Sequence, residues 1–299
     1  MKLLARVFAT LLLAAVPAVA APAGEILVVC DTGIAPYRAL LEGFAKSSPL
    51  PVRVVAPEGA AGADLEARLR REGVRAVLAV GMQSRAAVED LRELPVLLAM
   101  APRVEPWVAA QPNRLAIEMA LSPRQHLEAI RRVFPRARRV GVVYDPAQSG
   151  GYVREAASEA GLGLTLATRE IGRPAELARR LEELRGQADV LWLLPDPTVL
   201  QGANLDALLL ASFESRIPLY AFARKYVELG AVAAAHLDPA AMGEQAAAML
   251  AAVNHVPSPA AVRWRYATGT RLVVNQKVAR KMGIELDPAL LREADDVIR

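Results

Sequence analysis

The chain has 299 residues, 54% of them hydrophobic, with 36 Lys and Arg against 32 Asp and Glu for a formal net charge of +4. That length and apolar content fit a globular protein of one large or two ordinary domains. Nucleic acid is excluded as a partner despite a pI near 9.4: beyond the basic stretch RRVFPRARR (131–139) the arginines alternate with glutamates, as in ELARRLEELR, the pattern of a solvated helix face. Nor are aromatics interleaved with the basic residues as single-strand binders require.

Residues 1–20 carry Lys2 and Arg6, then the uncharged run VFATLLLAAVPAVA, ending in Ala18-Val19-Ala20. A positive n-region, a short apolar h-region and an A-x-A site make a secretory signal peptide. A membrane anchor needs about 20 apolar residues; this run is shorter and is broken at Pro17. The expected product is a soluble, periplasmic chain beginning near Ala21. Cys30 has Leu27 three places before it, as in a lipoprotein signal. Val29, however, stands where a small residue is needed, and Glu25 interrupts the approach, so no lipid is expected. As the sole cysteine it cannot form an internal disulfide, and it reads as a small buried thiol on a strand.

Short Val/Leu/Ala-rich runs then alternate with amphipathic Glu/Arg-rich stretches. Strands are predicted at 25–30, 52–56, 75–80 and 95–100, with helices near 36–46, 63–72 and 83–93. RLAIEMALS (114–122) joins this set to a second one. Strands at 139–145, 163–168, 189–195 and 218–222 alternate there with helices near 150–160, 174–185 and 199–214. Continuous apolar strands separated by helices imply a parallel sheet covered on both faces, so two doubly wound α/β lobes in tandem are expected. GAVAAAHLD (230–238), a helix at 240–253, a strand region at 262–275, QKVARKMG and a terminal helix PALLREADDVIR complete the chain. Three connecting stretches, near 118–123, 232–238 and 263–274, suit a chain that passes between the lobes three times and makes a hinge over a cleft.

The Asp-Thr-Gly at 31–33 resembles half of a pepsin-like dyad. Such enzymes are all-β and need a second copy to complete the carboxylate pair, and none exists here. A phosphatase nucleophile needs a second aspartate two residues on, where Gly33 stands. His126, His236 and His255 have no second ligand at i+3 or i+4, so no metal is expected. Neither a G-x-G-x-x-G, a P-loop nor a G-x-S-x-G elbow occurs, so neither an enzyme nor a cofactor is expected.

In open α/β sheets ligands bind outside the carboxyl ends of the strands. Those positions hold DTGIAP (31–36), GMQSRAA (81–87) and MAPRVEP (100–106) in the first lobe. In the second they hold YDPAQSGG (144–151), LPDPTVL (194–200) and FARKYVELG (222–230). Exposed N–H groups at helix starts suit a carboxylate or phosphate. Ser84 and Ser149 offer hydroxyl donors, and Asp31, Asp145 and Asp196 offer acceptors for an ammonium or hydroxyl, although each singly reads as well as a helix cap.

PRARRVGVVYDP (135–146), LWLLPDPTV (191–199), ELGAVAAAHLDPAAMGEQAAAML (228–250) and LVVNQKVARKMGIELDPALLREADDVI (272–298) resemble the ABC transporter substrate-binding family. The likeness is to the branch that includes tryptophan-, tyrosine- and phenylalanine-binding members. The closing run (Val-Asn, Met-Gly, Pro-x-Leu-Leu, Ala-Asp-x-Val-Ile) is its most specific part. The resemblance covers 135–299 well and the first lobe loosely. It implies two doubly wound parallel-sheet lobes joined by a three-crossing hinge, the periplasmic-binding-protein type I fold. The lobes implied are 24–119 plus about 236–262, and 120–235 plus about 263–299.

It also implies a ligand site at Asp31, Thr32, Gly33, Ser84, Tyr144, Asp145, Ser149, Asp196, Thr198 and the hinge-side Asp238. The chain departs from the family pattern after the third strand, where Gly81-Met82-Gln83-Ser84-Arg85 replaces Gly-Thr and small residues. It departs again after the fourth, where Ala101-Pro102-Arg103-Val104-Glu105 replaces Asp-Pro and a glycine. Arg85 and Arg103, being long, are expected to point outward; turned inward they would suit a more acidic ligand. The expected activity is capture of a small molecule, an amino acid by family default, by a monomer that delivers it to an ABC permease in the inner membrane. The alternative is a sensing or accessory protein of the same fold working with a sensor or other envelope system.

Overall fold

A computed structural model describes residues 24–60, 64–159, 161–253 and 263–299. The predicted signal segment and its cleavage site lie outside these residues. The first set of elements runs β1 (Glu25–Cys30), α1 (Ala35–Ser47), β2 (Val52–Val55), α2 (Leu65–Arg71), β3 (Val74–Val80), α3 (Gly81–Ala87), β4 (Val96–Ala101), α4 (Val104–Ala109) and β5 (Arg114–Glu118). The second begins α5 (Pro123–Val133), β6 (Arg139–Tyr144), α6 (Pro146–Ser158), β7 (Thr165–Glu170), α7 (Leu177–Leu184) and β8 (Val190–Trp192). It continues through α8 (Asn204–Ser215), β9 (Leu219–Ala221), α9 (Arg224–Leu229) and β10 (Ala233–Leu237). Last come α10 (Pro239–Val253), β11 (Trp264–Tyr266), β12 (Thr270–Asn275), α11 (Gln276–Lys281), α12 (Pro288–Glu293) and β13 (Asp296–Ile298).

The strands form two sheets, in the orders β11-β5-β4-β3-β1-β2 and β13-β12-β10-β9-β8-β6-β7. All pairs in the first are parallel. In the second, β12 runs antiparallel to β10 and carries β13 parallel to itself at the edge. The apolar runs are continuous because both faces of each sheet are covered. On β1, Ile26, Val28 and Cys30 enter one core cluster while Leu27 and Val29 enter another on the opposite face. On β8, Val190 and Trp192 likewise part from Leu191.

Helix α10 follows β10 of the second sheet yet packs on α1 of the first lobe. Two glycines permit it. A Cβ on Gly43 would strike the Ala240 carbonyl, and one on Gly243 the Leu40 carbonyl and the Phe44 nitrogen. With helix backbones this close, side chains elsewhere on α10, among them Met242, Ala246 and Leu250, bury fully.

The chain therefore changes lobe three times: at residues 119–122, at Asp238, and at residues 267–269. These stretches bond to one another. The Ala267 N–H donates to the Ala120 carbonyl at 3.1 Å and the Asp238 N–H to the Gly269 carbonyl at 3.0 Å. Gln125 ties the first crossing to the third: it accepts from the Ser122 N–H at 2.9 Å while its amide donates to the carbonyls of Ala267 and Thr268 at 3.0 and 3.1 Å. Each crossing departs from a strand's carboxyl end, β5, β10 or β11, so the carboxyl edges of the two sheets face each other.

Some expectations give way. The region 263–266 is not part of the second lobe: β11 pairs with β5, Trp264 opposite Ala116, because the chain returns from α10 to the first sheet before crossing last. The terminal stretch is not one helix. Ala294, the C-cap of α12, is extended (ψ 138°), and 296–298 then pair with β12. The predicted helix at 83–93 stops at Ala87. The one at 199–214 starts only at Asn204, since Asp196 claims the preceding N–H groups of Thr198 and Val199.

Candidate functional site

The first lobe presents three loops at the cleft. After β1, Asp31 is half-buried and forms an Asx turn, accepting the Gly33 N–H at 2.8 Å. It does not cap α1, whose N-cap is Ile34. Thr32 and Gly33 are exposed, and their carbonyls accept from Arg38 at 2.8 and 3.1 Å. Beneath them the Cys30 thiol is buried, and burial first, then the Asp31 charge, pushes its pKa up to about 11, so it is an inert side chain. Cys30, Asp31, Thr32, Pro57, Glu58 and Gln83 help line an open cavity of about 470 Å³.

After β3, Gly81 adopts φ +85°, and a Cβ there would collide with the Tyr37 ring; the family-divergent loop 81–85 is thus built around a backbone that only glycine fits. Ser84 is 1% exposed, and its hydroxyl has no partner. Arg85 is half-buried and reaches toward Glu89 at 3.7 Å.

At the end of β4 and just beyond it the backbone passes through two left-handed residues that are not glycine, Met100 (φ 56°) and Arg103 (φ 54°). Glu118 at the end of β5 holds this loop, accepting the N–H groups of Arg103 and Val104, both at 3.0 Å. Burial raises the Glu118 pKa; the N–H groups of Val104, Arg103 and Met119 pull it back only in part. Arg103 does not point away. Its guanidinium donates to Gln148 Oε1 of the second lobe at 2.5 Å.

In the second lobe the candidates mostly bind one another. Asp145 caps α6 through the Ala147 N–H at 2.9 Å and accepts the Thr198 hydroxyl at 2.7 Å. Asp196, fully buried, accepts the N–H groups of Asp145, Thr198 and Val199 at 2.9, 3.0 and 3.2 Å. Asp145, Asp196 and Thr198 thus weld the β6 and β8 loops together. Tyr144 turns to the neighbouring strand, donating to Glu170 at 2.9 Å. Ser149 lies in the first turn of α6 at 9% exposure. Asp238 sits at the second crossing, capping α10 at Ala240 and pairing with Arg271, both at 2.9 Å. Burial opposes its charge, but Arg271 and the Ala240 N–H outweigh it and lower its pKa. Among the described residues no hydrogen bond joins the Asp31 loop to the second lobe, and no His/Cys/Asp/Glu group is arranged to hold a metal.

An aromatic group beneath the hinge carried no local sequence signal, since its members His126, Tyr152, Trp192 and Tyr266 are far apart along the chain. The Tyr152 hydroxyl on α6 donates to the Leu121 carbonyl at 2.8 Å. Its ring stands 6.2 Å from Tyr266 and 5.9 Å from Trp192, and Trp192 lies 5.5 Å from His126. Tyr266 of the first sheet in turn bonds Glu155 of α6 at 2.8 Å. The helix that starts at the cleft loop is thereby fastened to the hinge.

The model of the ABC transporter substrate binding protein family matches residues 113–298. The chain belongs to that family. None of the curated protein sequences matches it. Among solved structures it is similar to an ABC domain in complex with L-Trp from Streptococcus pneumonia (20% identity, 92% of this chain and 99% of that one, TM-score 0.54). It is also similar to a ligand-free, open substrate-binding protein with adhesive properties from Clostridium difficile (17%, 92% and 98%, TM-score 0.64). A conserved domain protein from Vibrio cholerae resembles it over the same share (20%, 92% and 99%, TM-score 0.52). At these identities the likeness establishes the fold, the type I periplasmic-binding-protein arrangement of two α/β lobes.

Proposed function

We propose that this chain is an extracytoplasmic solute receptor that captures a small molecule between its lobes and delivers it to an ABC permease in the inner membrane. The observation that carries the reading is the set of three hydrogen-bonded crossings, all leaving carboxyl strand ends. They set six ligand-type loops face to face on a hinge, in a family of substrate-binding proteins. Hinged lobes close by nearly rigid rotation, and only a ligand that contacts both lobes favours the closed form.

The side chains best placed to hold a ligand are those whose oxygens the protein leaves free: the second carboxylate oxygen of Asp31 and the hydroxyls of Thr32, Ser84 and Ser149. Asp145, Asp196, Thr198 and Tyr144 shape the opposing wall, and Asp238 serves the hinge. Ile34, Met82 and Met119 are large apolar residues left 40%, 50% and 43% exposed on the first-lobe loops and the first crossing; they suit an apolar portion of the ligand. An amino acid, aromatic in the simplest case, meets these demands, as the L-Trp held by the streptococcal neighbour illustrates. A thermal-shift panel of the twenty amino acids, sugars and polyamines on the mature chain tests this. A saturable rise in melting temperature with one amino acid supports it, and a flat panel refutes it. Export is tested by mass spectrometry of the periplasmic fraction: a chain beginning near Ala21 is expected, and recovery solely with membranes counts against it.

A further inference from the structure

Arg103 is an exposed cation on the first-lobe side of the cleft, and Glu118 feels its charge without forming an ion pair with it. Among the described residues no carboxylate lies within ion-pairing distance of its guanidinium, a partner that about half of the other arginines have. Its one side-chain bond goes to a neutral amide, Gln148 Oε1, across the cleft at 2.5 Å. The remaining guanidinium N–H groups make no bond to the protein. Glu118 is committed to the N–H groups of residues 103 and 104.

The backbone beneath is held at some cost. Met100 and Arg103 both adopt left-handed φ within four residues, and such strain persists where a surrounding structure enforces it, commonly at ligand clamps. Glu118 supplies the enforcement and is itself partly desolvated in doing so. The result is a cation fixed at the carboxyl end of β4, reaching the first turn of α6 in the other lobe.

We infer that Arg103 is a specificity-determining residue of the proposed cleft and that the ligand carries a carboxylate, which replaces Gln148 on the guanidinium as the lobes close. The inference rests on the receptor reading above. A carboxylate accepts two parallel guanidinium bonds and carries the opposing charge, so it outcompetes a neutral amide oxygen. The apolar wall of Ile34, Met82 and Met119 then takes the rest of the molecule, and an acid with an apolar body is selected over a sugar or a polyamine.

Isothermal titration on the mature chain tests this, with the twenty L-amino acids, succinate, glucose and putrescine as probes, and with the carboxamide of whichever acid binds best. The best probe should carry a free carboxylate, and its carboxamide should bind about 10- to 100-fold more weakly. Arg103→Gln should lose a similar factor for the acid and little for the amide, Arg103→Lys should recover part of it, and Gln148→Ala should bind the acid at least as tightly as the natural chain. The acid-to-amide comparison on the unaltered protein stands even if a variant folds poorly. Equal affinity of acid and amide, unchanged affinity in Arg103→Gln, or glucose or putrescine binding best overturns the inference while leaving a receptor in place. Binding of none of the probes removes both.

Discussion

His126 gives the fold a calculable acid sensitivity. Its ring is 4% exposed on α5, with Nδ1 at 2.9 Å from the Tyr220 hydroxyl and the ring 5.5 Å from Trp192. Burial alone pushes its pKa down to about 3, against about 6.5 in an unfolded chain. Between those values the unfolded state binds a proton that the folded state refuses. The stability is therefore fully present above about pH 6.5 and is lost progressively as pH falls toward about 3. At pH 5, some 1.5 units below the unfolded value, the loss is about 2 kcal/mol, which for a chain this size lowers the melting temperature by roughly 4–8 °C. Thermal denaturation from pH 4.5 to 7.5 measures it, with His126→Gln as the comparison. The variant should melt lower at pH 7.5 but with a shallower dependence on pH, the titrations common to both proteins cancelling in the difference. Parallel pH profiles for the two would refute the reasoning.

Three further outcomes follow from the fold and the site. Asp196→Ala strands three N–H groups that now share one buried carboxylate, so urea denaturation should show a loss on the order of 3 kcal/mol; an unchanged midpoint would mean the β6 and β8 loops do not depend on it. Gly243→Val forces α1 and α10 apart and should cost about 1–3 kcal/mol or more, read by the same assay, with no change counting against the close helix contact. Asp31→Asn keeps an acceptor for the Gly33 turn and should leave stability intact while weakening an amine-bearing ligand about 10- to 100-fold. Unchanged affinity on calorimetry would make Asp31 a turn residue alone.

The lobes and the hinge were legible because they rest on local patterns. Buried parallel strands must be apolar on both faces, so the runs ILVVC in β1, AVLAV in β3 and VGVVY in β6 stand out, and the glycine- and proline-marked loops between them set the period. The short or late elements were less so. β11 has three residues and a mixed pattern, and its sheet is decided by where α10 docks, through Gly43 and Gly243, which lie 200 residues apart. β13 hides in a stretch with helix-forming neighbours.

Within the candidate site, residue types marked loops at the carboxyl ends of strands but not the partner of each side chain. An aspartate before a helix reads the same whether it awaits a ligand or, as Asp145 and Asp196 do, accepts from its neighbours. Arg103 shows the limit most clearly. Side-chain length argued for solvent, whereas Glu118, fifteen residues on and a strand away, turns its backbone so that the guanidinium crosses to Gln148.

The central claim, a cleft that closes on a small molecule about three crossings, is tested most directly by small-angle X-ray scattering of residues 21–299 with and without a saturating concentration of the best-binding amino acid. The account predicts a smaller radius of gyration and a changed profile with ligand, reversed on dialysis. Identical profiles at a concentration where calorimetry shows full occupancy would contradict it.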